Sequence, residues 1–267
     1  MANTFTAIHS IDDTASVNWH HWLARWDTQQ TGYLPEREAR FNVMFDVLDV
    51  LLPESFVALD LACGPGAISQ RLLARFPKAR CIAVDLDPIL LTMGQSVLGT
   101  MDGRLTWVEA DLATPEWTTQ LGIDTVDAVL STTALHWLPA SDLIALYRQL
   151  GQIVRPGGVV LNGDHMSFEP RLERFQQVAD AVKARLQDEA FTQRGVEDWT
   201  QWWDSLAQEP ALKTLFAERE QRFEGQRHMR SYRPTFALHE AALREAGFGQ
   251  VDVIWQRLDN RVLMAIR

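Results

Sequence analysis

The stretch VALDLACGPGA, Val57 to Ala67, decides the architecture. Its short, continuous apolar run reads as a strand buried on both faces. The run carries Asp60, then passes through Gly64-Pro65-Gly66 into the amphipathic stretch AISQRLLARF, which has helical periodicity. Glycines at such a turn let the backbone approach a ligand closely, and the helix behind them offers free N–H groups. A nicotinamide-dinucleotide site would use the same strand, turn and helix. Two details disfavour it. Ser69 takes the place of the third glycine of GxGxxG, and a carboxylate at Asp60 would repel a pyrophosphate. That carboxylate suits a cationic ligand.

Downstream, the same alternation continues. RCIAVDLD reads as a strand, PILLTMGQSVL as a helix, RLTWVEAD and VDAVLSTTA as strands, SDLIALYRQLGQIV as a helix and GGVVLNGD as a strand. After a helical interval come FALHEAALREAGF, a helix with a glycine stop, and the strands QVDVIWQRL and NRVLMAIR. The short linker at Asp259 and Asn260 predicts a hairpin and hence an antiparallel edge. Alternating apolar runs and helical periods predict an α/β, doubly wound, mostly parallel sheet. In open α/β sheets ligands lie at the carboxyl ends of the strands. Asp60, Asp85, Asp111 and the segment Ser131 to His136 all fall at such ends. Asp85 can accept hydrogen bonds from both ribose hydroxyls. Asp111 can bond the exocyclic amine of an adenine or cap a helix. Asp87, before Pro88, reads as a helix cap.

Two segments lie outside this pattern. Ala15 to Thr28 forms one apolar helical face from Trp19, Trp22, Leu23 and Trp26, and a second helix follows from Pro35 to Leu52. His165 to Arg233 is mostly helical in pattern and carries Trp199, Trp202 and Trp203. The chain therefore divides into an N-terminal helical cap (1–52), an α/β core (53–164), a helical insertion after the fifth strand (165–233) and a C-terminal helix with two strands (234–267). Both helical additions attach where they can reach the open carboxyl edge. They are predicted to close over it as a lid, with Trp19, Trp22 and Trp26 walling a pocket.

The ordered set DLACGPG, AVDLDP, EADL, DAVLSTTALHWL and IVRPGGVV resembles the class I S-adenosylmethionine-dependent methyltransferases. The resemblance spans roughly Val57 to Asp164, with the terminal helix and strands. It implies a seven-stranded, Rossmann-like sheet with S-adenosylmethionine over Gly64 and Gly66. It further implies Asp60 facing the cationic donor, Asp85 and Leu86 at the ribose, Asp111 and Leu112 at the adenine, and Ser131 beside the methionine part. Tyr33 and Arg37, before the second helix, would contact the donor carboxylate, or else form an ordinary surface pair. The ALHWLP stretch is similar to small-molecule members such as the trans-aconitate and malonyl-carrier methyltransferases. No NPPY-type tetrapeptide follows the fourth strand, which argues against base or glutamine methylation. His136 would be the general base for an acceptor that loses a proton, or a structural histidine against Trp137. Trp137 and His165 are further candidates for the substrate pocket.

Composition narrows the function classes. The 267 residues carry 25 Lys plus Arg against 35 Asp plus Glu, a net charge of -10, which disfavours nucleic acid as a partner. Cys63 and Cys81 cannot make a disulfide framework and have no metal-ligand spacing, so no metal is expected. The start MANTFTAIHSIDD has no signal-peptide character, and no apolar run approaches the ~18 residues of a membrane span. The expectation is a cytoplasmic enzyme that uses S-adenosylmethionine on a small-molecule acceptor, with no membrane or nucleic-acid partner. The rival readings are an NAD(P)-dependent oxidoreductase and a non-catalytic S-adenosylmethionine-binding regulator.

Overall fold

A computed structural model of the chain describes residues 14–224 and 233–267. The expectations that concern residues 1–13, and the 225–232 part of the insertion, lie outside the described residues. Seven strands form one sheet: β1 (Val57–Leu61), β2 (Arg80–Asp85), β3 (Leu105–Glu109), β4 (Val126–Thr132), β5 (Val154–His165), β6 (Gln250–Arg257) and β7 (Asn260–Ile266). Their order is β3-β2-β1-β4-β5-β7-β6. Strands β1 to β5 pair in parallel, and β7 runs antiparallel to both β5 and β6. The final hairpin is present, with Leu258 and Asp259 as its linker, and β6 rather than β7 is the edge. The strand order reverses between β1 and β4, so a crevice opens at their carboxyl ends.

Side-chain alternation explains the two layers. Leu59, Leu61, Ile82 and Val84 point to one face, where they meet helices α5 (Ala140–Ile153) and α9 (Phe236–Glu245). Ala58, Cys81 and Ala83 point to the other, against α2 (Arg37–Leu51) and α3 (Ala67–Arg75). Helix α4 (Pro88–Leu98) begins as predicted, with Asp87 capping the N–H groups of Ile89 and Leu90.

The N-terminal helix α1 covers Trp19–Tyr33, so it starts later and runs further than the sequence pattern indicated. Asn18 caps it by accepting from the N–H of His21. It continues through Gly32, where a Cβ would lie 2.5 Å from Phe191 Cε1, so no side chain fits. Between β5 and α9 lie α6 (Glu173–Gln187), α7 (Trp199–Leu206) and α8 (Lys213–Arg222). Helix α7 opens on a capping box, with Asp198 and Gln201 each bonding the other's backbone N–H.

The tryptophan stripe of α1 does not lie on the sheet. Trp19, Trp22 and Trp26 pack with Ile89, Leu90 and Met93 of α4 and with Trp202, Trp203 and Leu206 of α7, as a third apolar cluster. Trp22 Nε1 donates to Glu209 at 3.0 Å, and Arg25 pairs with Glu197. Among the described residues, no helix is long and apolar enough to cross a membrane.

Candidate functional site: a cleft at the carboxyl edge of the sheet

A cavity of about 1020 Å³ opens over the carboxyl ends of β1 to β4. Its floor is the turn after β1 with the strand ends Asp85, Leu86, Asp111 and Leu112. Its far wall comes from Trp26, Leu34 and Arg37 and from α7 and α8. The glycine turn is built for close approach. Gly64 has φ 55°, and a Cβ there would meet nothing nearer than Leu90 Cδ1 at 3.9 Å, so the backbone faces open space. Gly66 has a different role. It does not wall the cavity, and a Cβ on it would lie 2.7 Å from Trp107, the ring of β3 that also fills the space above Gly94.

Asp85 organises this turn. Its Oδ2 accepts from Gly64 N at 2.7 Å and its Oδ1 from Asp87 N at 2.8 Å. Burial pushes its pKa up to about 6. Asp111 forms a local turn, accepting from Ala113 N at 2.9 Å, and walls the cavity with Leu112. Asp60 also reaches the wall, but strand alternation points it at α3. There its Oδ2 accepts from both the N–H and the hydroxyl of Ser69. Ser69, in the third-glycine position, therefore holds a carboxylate.

Asp60 is 1% exposed, and burial raises its pKa to about 7 despite the Ser69 bonds. The unfolded chain ionises this group near 3.8, so stability is lost as pH rises from there through 7. Asp60→Asn keeps both Ser69 bonds and removes the charge. In thermal melts of the ligand-free protein, its advantage over wild type should widen by ~2–3 kcal/mol between pH 5 and pH 8. A gap independent of pH would show that Asp60 is not buried ionised.

Seven expected site residues do not line the cavity: Gly66, Trp19 and Trp22, and the four that follow. Ser131 is buried within β4 and donates to Leu61 O at 2.9 Å; Thr132, Thr133 and Ala134 beyond it line the cavity. Tyr33 packs on Phe191 at 4.5 Å, and its hydroxyl accepts from Trp199 N, tying α1 to the start of α7. His165 bonds Asp259 at 3.3 Å beside a separate small pocket. His136 is not among the residues that line the cavity; its Nδ1–H donates to Asp164 Oδ1 at 2.7 Å and its backbone N–H to Oδ2 at 3.1 Å. This pair fits both readings of His136, since a carboxylate on Nδ1 orients a base as well as it fastens a loop. Trp137, tilted against it with ring centroids 4.9 Å apart, does line the cavity. Of the α1 tryptophans only Trp26 lines it; Trp19 and Trp22 support it from behind. Arg37 lines it too, with Nη1 donating to Asp27 at 2.7 Å.

Two features of the site have no local sequence signal. Helix α8 is bolted across the ends of β2 and β3. Arg219 Nε donates to Asp87 at 2.6 Å while its guanidinium lies 3.8 Å from the Trp203 ring centroid, and Arg222 pairs with Glu109 at 2.7 Å. Beneath the Thr132–Thr133 wall sits Arg40, with no exposed surface. Its Nη1 donates to Thr133 Oγ1 at 3.0 Å and Gly163 O at 2.8 Å, and its Nε to Asn260 Oδ1 at 2.5 Å. Thr133 has φ 57°, a strained conformation for a β-branched residue, and Arg40 helps to hold it.

Comparison with known proteins agrees with this geometry. Residues 58–158 match the methyltransferase domain family. A trans-aconitate 2-methyltransferase of Azoarcus sp. (strain BH72) is 32% identical over 139 residues, covering 52% of this chain and 50% of that protein. The α/β core of this chain, over residues 58–158, is a methyltransferase domain. A trans-aconitate 2-methyltransferase of Methylobacterium radiotolerans is 36% identical over 104 residues, 39% of this chain and 36% of that one. The chain thus spans half or less of the length of these curated relatives. The structure of the S-adenosylmethionine-dependent methyltransferase SibL shares the fold, with TM-score 0.51 at 19% identity over 79% of this chain and 50% of that one.

Proposed function

We propose that this methyltransferase binds S-adenosylmethionine over the Gly64 turn and transfers its methyl group to a small organic acceptor. The observation that carries this is the joint wall: strand-end carboxylates and helical additions enclose one cleft. Its volume lies at the upper end of small-molecule sites, which leaves room for donor and acceptor together. Asp85 would hold the ribose hydroxyls, Leu86, Asp111 and Leu112 the adenine, and the Gly64 backbone the donor's centre. Asp60 and Arg37 would face its amino-acid end. When bound, the cofactor supplies a methyl group on a cationic sulfur.

The chain's own task is alignment and exclusion of water. Trp26, Trp203 and the bolted α8 close the side opposite the sheet, which supports the lid role of the two additions. His136 is assigned a positioning role: it fastens the loop after β4 to Asp164 and sets Trp137 at the rim. A nucleic-acid acceptor is disfavoured by the net charge of -10. The dinucleotide reading is disfavoured by Asp60 and the Ser69 that holds it.

Incubating the full chain with methyl-labelled S-adenosylmethionine and a small-molecule extract of its source cells tests this reading. Label should appear in an organic small molecule. Binding of S-adenosylhomocysteine with no transfer would instead support the regulator reading.

A further inference from the structure

The cleft has an aromatic lining. Trp26, Trp137, Trp199, Trp203, Phe216 and Phe223 all line it. Two of these rings are open to solvent: Trp137 is 49% and Trp199 36% exposed. They come from different elements, the loop after β4 and the first residue of α7. Trp199 lies 5.4 Å from Trp26 and 5.8 Å from Trp203, centroid to centroid, at tilted angles. Large apolar rings left facing a cavity mark a surface that a ligand covers.

The charge of the cleft points the same way. Among the described residues that line it, six are carboxylates, three of them (Asp60, Asp85 and Asp111) assigned to the donor and one (Asp87) paired with Arg219, and three are cations, Arg37, Lys213 and Arg219. Arg37 is committed to Asp27 and Arg219 to Asp87. Lys213 sits exposed at the mouth. Among the described residues a polyanion would meet more carboxylates than cations and no uncommitted buried cation, and like charges brought together disfavour binding. A neutral or cationic planar molecule meets no such opposition, and a cation over tryptophan faces gains further attraction.

Resting on the methyltransferase reading, we propose that the acceptor is a planar aromatic molecule, uncharged or cationic, held between Trp137 and the Trp199–Trp203 pair. On this proposal a polycarboxylate such as the acceptor named for the relatives is a poor fit.

The test is calorimetry on the full chain saturated with S-adenosylhomocysteine, titrated with 2-naphthol and separately with trans-aconitate. 2-Naphthol should bind at least about tenfold more tightly than trans-aconitate. Trp137→Ala with Trp199→Ala should weaken 2-naphthol about tenfold or more and leave S-adenosylhomocysteine affinity within about twofold. The single Trp137→Ala variant should show part of that loss and guards against misfolding of the double variant. Three results overturn the proposal: tighter trans-aconitate binding, no 2-naphthol binding, or 2-naphthol affinity unchanged in both variants. Failure of S-adenosylhomocysteine itself to bind would overturn the methyltransferase reading and this proposal with it.

Discussion

Asp85→Ala is expected to weaken S-adenosylhomocysteine binding by roughly 10²–10⁴-fold while the protein stays folded. Two effects combine. The carboxylate would accept both ribose hydroxyls, each charge-assisted bond contributing ~1.5–3 kcal/mol. It also fixes the turn that the ligand lies on, through Gly64 N and Asp87 N. Asp85→Asn retains one acceptor oxygen and should fall between wild type and alanine. The fold survives because Asp85 ends a strand whose Ile82, Ala83 and Val84 stay packed. Unchanged affinity in the alanine variant, measured by calorimetry, would remove Asp85 from the site.

Asp164→Ala is expected to produce the largest loss of stability, ~3–5 kcal/mol, and a fall in Tm of roughly 6–20 °C. Asp164 is 1% exposed. Burial raises its pKa, but the His136 pair, with Arg40 and His165, outweighs it and holds the carboxyl well below the ordinary range. Arg40 is buried beside it, and burial lowers its pKa to about 10, against the pull of Asp164 and Asp259. It therefore remains charged at neutral pH. Removing Asp164 leaves that cation without its main counter-charge and frees the His136 loop. Because the folded pKa lies below the unfolded one, this stabilisation is complete above the ordinary carboxylate range. Its loss begins as pH falls below about 4, where the gap between thermal melts of wild type and variant should start to narrow. Equal Tm values at pH 7 would show that the buried charges are not coupled.

The sheet was legible in the sequence because buried parallel strands are apolar runs and amphipathic helices have a period. VALDLACGPGA and PILLTMGQSVL carry their own boundaries. Asp85 and Asp111 were legible because strand ends fall at one edge of such a sheet. Ser131 was misplaced because its side chain is buried within the sheet, bonded to Leu61 O, so the wall begins at Thr132. The role of Gly66 could not be read locally, since the ring that needs its missing side chain, Trp107, belongs to another strand. His136 carries two readings, and its partner Asp164, 28 residues away, is not marked as such by any local pattern. Helix α8 over the cleft rests on Arg219 and Asp87, 132 residues apart, and ion pairs at that separation leave no pattern in a sequence. The tryptophans of α1 and α7 were visible as two apolar stripes, but their mutual packing was not.

The most direct measurement is a calorimetric titration of the full chain with S-adenosylhomocysteine, set beside the same titration with NAD. One-to-one saturable binding of S-adenosylhomocysteine, lost in Asp85→Ala, with no heat from NAD, is the predicted result. Saturable NAD binding, or no binding of S-adenosylhomocysteine, would contradict it.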